Sequence, residues 1–159
     1  DQRFASARAD VLSYATGPLT APVSVGGPPM ANLFAATSGT DADWVVKLID
    51  VQPDGAQMMV AAEIFRGRYR ERLDQAKPIQ PNAAALYRFA LPHVSHVFRP
   101  GHRIMIQVQS SWFPLYDRNP QTFVENIFAA RPSDYQRATH AISRSRRQAS
   151  FVELPVLDE

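Results

Sequence analysis

The chain has 159 residues, 45% of them apolar and 20% charged, with a formal net charge of +2; this length supports one domain with its own core, in a composition of ordinary globular type. So small a charge supplies no field for nucleic acid, whose binders cluster many cations on one face. The absence of cysteine excludes disulfides and thiolate metal sites, and no apolar run approaches the roughly 18 residues of a membrane-spanning helix.

The chain opens "DQRFASARAD", with no initiator Met, apolar leader or cleavage signal. It reads as a segment of a longer protein whose compartment stays open. Thirteen prolines then punctuate short apolar runs, the pattern of a β protein. "DVLSYAT" (10–16) is a first strand. "PLTAPVSVGG" (18–27) is a second, broken by Pro22 and therefore an edge or bulged strand. "MANLFAATS" (30–38) is a third. "DWVVKLIDVQ" (43–52) is apolar on both faces apart from Lys47 and Asp50 and should be central. "PDG" (53–55) is a turn, and "AQMMVAAEIFRG" (56–67) returns as its hairpin partner.

"RYRERLDQAKPIQPNAAA" (68–85) is polar, lacks periodicity and reads as a connection crossing between sheets. "ALYRFAL" (85–91) alternates with Tyr87, Phe89 and Leu91 on one face. In "HRIMIQVQS" (102–110), Ile104, Ile106 and Val108 face one way. Both runs are expected as interior strands of the sandwich. A long loop follows to residue 135, with room for one helical turn at most. A hairpin of "ATHAISR" (138–144) and "ASFVELPVL" (149–157) closes the chain. About nine strands without a convincing helix predict a single all-β domain, a jelly-roll-type β-sandwich.

The chemistry-bearing residues form no recognisable constellation. No G-x-S-x-G elbow is present, and no serine has a histidine and acid placed to activate it. His93 and His96 are three apart, so on a strand they face opposite ways and share no metal. His102 reads as a hydrogen-bonded turn residue, and His140 has nothing beside it. Asp41, Asp43, Asp50 and Asp54 lack calcium-loop spacing and read as turn-forming, solvated acids. Neither cofactor nor metal is expected. "RGRYRER" places Arg66, Arg68, Arg70 and Arg72 at period 2 on one face if extended, a row suited to acids of a neighbouring domain or, less well, to phosphate.

"SSWFPLYDRNP" (110–120) stands apart. A turn needs only Gly, Asn, Asp or Pro, yet this loop carries Trp112, Phe113 and Tyr116 between prolines, with Asp117 and Arg118. Rigid aromatics bury much area at low entropic cost, which suits an interface. In the alternative, Phe113 and Tyr116 fold back onto the domain's own core. Trp112 is also the one candidate for a carbohydrate platform, since Trp44 sits in the most apolar strand and reads as core.

"DQRFASARADVLSY", "DADWVVKLIDVQPDG", "EIFRGRYRE", "VFRPGHRIMIQVQSSWFPLYDRNP" and "ASFVELPVL" occur in the order found in one family. The chain resembles the C-terminal domain of the X-Pro dipeptidyl-peptidase and cocaine-esterase class of serine hydrolases. "DWVVKLIDV", "EIFRGRYR" and "NPQTFVENIF" favour the α-amino-acid ester hydrolases and glutaryl acylases within it. Ala62-Glu63 departs from the Asp-Gly more usual in the class before the Ile of the arginine strand. The resemblance implies a galactose-binding-like jelly roll that packs on the α/β-hydrolase and helical cap domains of the same chain. The catalytic Ser, Asp and His of such enzymes have no counterpart here. It further implies a parent acting on esters or amides of α-amino acids, periplasmic or secreted in setting, with a homo-oligomer left open. The interface residues expected are Trp112, Phe113, Tyr116, Asp117, Arg118, Arg66 and Arg68. An independent carbohydrate-binding module is the rival reading.

Overall fold

The computed structural model describes residues 1–157. After a one-turn helix, α1 (Arg3–Ser6), come β1 (Leu12–Ala15), β2 (Val23–Gly27), β3 (Met30–Thr37), β4 (Asp43–Val51) and β5 (Gln57–Arg66). Then follow β6 (Ala85–Ala90), β7 (Val94–Phe98), β8 (Arg103–Gln109), β9 (His140–Ile142), β10 (Arg144–Ser145), β11 (Gln148–Ala149) and β12 (Phe151–Glu153). Every ladder is antiparallel. One sheet runs β1-β8-β4-β5; the second runs β12-β3-β6, with β9 also on β3; β2-β7 and β10-β11 form two-stranded sheets. This is the β-sandwich that the alternating runs predict.

β4 is central, between β8 and β5, and all but its last residue are buried. Trp44, Val46 and Leu48 belong to the sandwich core, while Val45, Lys47 and Ile49 alternate onto the other face and are buried too. The "PDG" turn closes as expected: the Gly55 N–H donates to Gln52 O at 2.9 Å, and Gly55 takes φ of +88°. Across the sandwich, Trp44 meets Tyr87 at 5.3 Å between ring centroids and Phe65 stacks on Phe89 at 5.3 Å. Such pairs add to the apolar burial that drives the two sheets together.

Four expectations need correction. β7 was not foreseen, because His96 stands between Val94 and Phe98 and breaks the apolar alternation. The strand forms all the same, paired along its length with β2. β8 is interior, but β6 lies at a sheet edge, although Tyr87, Phe89 and Leu91 do face the core. The closing hairpin is β10-β11; β9 and β12 pair not with each other but end to end along the eight-residue β3. Finally, α1 forms in a stretch given no element from the sequence, and two 3₁₀ turns (Ile127–Ala129 and Pro132–Asp134) form where room for one helical turn at most was expected. Of the strand read over 18–27 only the part after Pro22 forms, as β2, and it lies at an edge as expected; residues 67–84 carry the chain from one sheet to the other.

Candidate functional site

The end of β4 sets up a row of buried charges. Asp41 and Asp43 precede and open the strand, and both are buried. Asp41 is 0% exposed and accepts from Arg68 Nε and Nη2 at 2.9 and 2.6 Å. Arg68 is itself 2% exposed and lies over the Phe123 ring, 4.8 Å from its centroid. Asp43 accepts from Asn119 Nδ2 at 2.9 Å and stands 3.7 Å from Arg66. Burial outweighs both partners and pushes the Asp43 carboxyl up to about 6. Arg66 also pairs with Asp117, so the aromatic loop is tied to β5 by a charge-assisted bond.

The arginine row therefore does not form. β5 ends at Arg66, and a 3₁₀ turn over Gly67–Tyr69 takes the chain inward. Gly67 permits the approach, since a Cβ there would lie 2.9 Å from Ala42 O. Arg66 and Arg68 find acids within this domain, and Arg70 donates to the carbonyls of Lys77 and Pro78. Asp50 likewise is no solvated turn acid: it is buried and accepts from His96 Nε2 at 2.9 Å and His102 Nδ1 at 2.7 Å. It joins β4, β7 and the entrance to β8. Among the described residues no group of three or more His, Cys, Asp or Glu is arranged to hold a metal.

The loop that follows β8 divides in two. Trp112 and Tyr116 turn toward each other, 5.7 Å between centroids, and the Tyr116 N–H donates to Trp112 O at 3.0 Å. Trp112 also lies over Lys47, 5.5 Å from Nζ. Phe113 and Leu115 point away from the domain and are 65% and 66% exposed. Phe4 of α1, 71% exposed, lines the same groove of about 420 Å³ with Phe113, Leu115, Trp112, Lys47 and Arg118. Arg118 rests against Phe113 and Tyr135, 5.6 and 5.5 Å from the ring centroids. Trp112 is half-buried, held between Lys47 and Tyr116 at the edge of this groove. Phe4 and Leu115 are not named among the sequence candidates, and Lys47 is named only as a polar exception in β4. A lysine in the middle of an otherwise apolar strand was the available signal.

Residues 2–153 match the family described as the X-Pro dipeptidyl-peptidase C-terminal non-catalytic domain. The chain is 41% identical to the cocaine esterase of Rhodococcus sp. (strain MB1 Bresler) over 99% of its own length and 27% of that enzyme's. It superposes on an α-amino acid ester hydrolase with a TM-score of 0.97 at 52% identity, again over 99% of this chain and 27% of that one. An aminopeptidase from a marine sediment archaeon, Thaumarchaeota archaeon, matches with a TM-score of 0.98 at 54% identity, covering 99% and 27% of the two chains. The chain thus spans 27% of the length of these relatives. An all-β sandwich over the matched residues, with its acids and arginines spent on structure, agrees with these likenesses: the chain belongs to the non-catalytic C-terminal domains of X-Pro dipeptidyl-peptidase-like serine hydrolases.

Proposed function

We propose that the chain is one domain, residues 1–159, that packs on the α/β-hydrolase and cap domains of a longer serine hydrolase and helps wall its active site. The docking face is Phe113 and Leu115 with Phe4, backed by Trp112, Tyr116 and Arg118. Asp117 and Arg66 anchor the loop from behind, and Arg68 holds the strand end beneath it. One observation carries this reading: three large apolar side chains, each about two-thirds exposed or more, surround a single groove. Exposed apolar clusters of this kind mark interaction surfaces. Through its relatives' names the parent enzyme is read as hydrolysing esters or amides of α-amino acids, by way of an acyl-enzyme and an oxyanion hole.

The test is the double variant Phe113→Ala/Leu115→Ala in the full-length chain, followed by limited proteolysis and by hydrolysis of an α-amino-acid ester. Loosened docking and reduced turnover are expected, because buried interface aromatics typically carry about 2 kcal/mol or more. Wild-type proteolysis and turnover in the variant would place the docking face elsewhere.

A further inference from the structure

The groove beside Phe113 contains a cation that the described residues do not neutralise. Lys47 projects from the middle of β4, away from the sandwich core, and is 2% exposed. An ammonium has three donors, and among the described residues the one side-chain hydrogen bond of Lys47 is to Gln2 Oε1, at 2.8 Å. The Trp112 ring adds a cation–π contact. Among the described residues no carboxylate comes within ion-pair distance of Lys47, whereas Arg8, which lines the same groove, is held by Asp10. Burial first, and Arg8 second, lower the Lys47 pKa. Arg118 has aromatic contacts but likewise no carboxylate among the described residues. The groove is thus cationic and apolar together, and its buried cation lacks a counter-charge that would offset the cost of desolvation.

We propose that this groove receives a carboxylate, an Asp or Glu side chain flanked by an apolar residue, from the catalytic part of the same longer chain. The proposal rests on the docking reading above and names the chemistry of its partner. Charge complementarity selects the carboxylate: Lys47 has donors to spare and Arg118 stands at the rim. The frame of Phe4, Phe113 and Leu115 selects a protein surface over a free anion, which would leave those side chains in water. The relatives extend far beyond the 27% matched here, so such a surface is available within one chain.

The experiment uses the full-length chain as wild type, Lys47→Met and Phe113→Ala, and follows amide hydrogen exchange in residues 110–118. Met keeps the volume of the lysine stem, so packing around β4 is retained. At pH 7, Lys47→Met should speed exchange in this segment about tenfold or more, as expected for removing one member of a buried charge pair. A carboxylate paired with Lys47 has its pKa held below the ordinary value. Its contribution is therefore complete at neutral pH and disappears as pH falls through the carboxylate range near about 4. The gap between wild type and Lys47→Met should close over that fall. If Phe113→Ala opens the segment but Lys47→Met matches or exceeds wild-type protection, docking stands and the carboxylate is overturned. If the gap is the same at every pH, the carboxylate is overturned as well. If neither variant alters exchange, docking itself fails.

Discussion

Asp41 and Asp43, two residues apart, meet different fates. Asp41 is neutralised by Arg68 through two N–H groups on one oxygen, deep in the domain. Arg68→Ala would leave a buried carboxylate alone and should cost about 3–5 kcal/mol in urea unfolding. Arg68→Lys should recover only part of that loss, because a point charge reproduces neither the fork nor the stacking on Phe123. A loss under about 1 kcal/mol for Arg68→Ala would show that Asp41 is rehydrated when its partner goes.

At Asp43 burial dominates, and its folded pKa is raised to about 6 from an ordinary 3.8. The folded state holds this proton more tightly than the unfolded chain does. The group's favourable contribution is therefore present below about pH 4 and is lost as pH rises through about 6. Asp43→Asn mimics the protonated form and keeps an acceptor for Asn119. Relative to wild type, the variant should gain stability between pH 4 and 7, by at most on the order of 3 kcal/mol. Denaturant titrations across that range measure the difference, and a pH-independent gap would sink the assignment.

At the scale of an element, β8 was readable and β7 was not. Ile104, Ile106 and Val108 alternate cleanly, and the structure packs all three against the core. Ile106 sits opposite Tyr14 on one side and Leu48 on the other. It is only half-buried, beside an apolar slot it shares with Tyr14, Leu33 and Val152. Ile106→Ala should therefore fall at the low end of core truncations, about 2 kcal/mol by chemical denaturation. A loss below about 1 kcal/mol would take Ile106 out of the packed core. The loop at 110–118 was legible as unusual, since a turn does not need aromatics. Which of them face outward was not legible, because that depends on Trp112 and Tyr116 packing on each other and leaving Phe113 and Leu115 largely exposed.

At the scale of the molecule, the purified chain should not turn over p-nitrophenyl acetate or an α-amino-acid ester above background. Among the described residues, the histidine–carboxylate contacts, His96 and His102 on Asp50, have no serine hydroxyl among their hydrogen bonds. A serine hydrolase needs that link from nucleophile to base. Turnover abolished by mutating one serine of this chain would refute the expectation.

Local pattern by itself settled the sheet character of the chain, the hairpin at "PDG", the central place of β4 and the burial of Trp44. Each follows from side-chain alternation or turn chemistry over a few neighbouring residues, so no distant contact is needed to read it. The order of characteristic stretches likewise settled the family. Tertiary structure alone decided the partners of the buried charges. Arg68 reaches Asp41 across 27 positions, Arg66 reaches Asp117 across 51, and Asp50 gathers His96 and His102 across 46 and 52. No periodicity encodes such pairs, because they depend on which strands become neighbours. The same holds for Lys47: a cation in an apolar strand is visible in the sequence, but only the packing of Gln2 and Trp112 around it shows that it is buried without a counter-charge among the described residues.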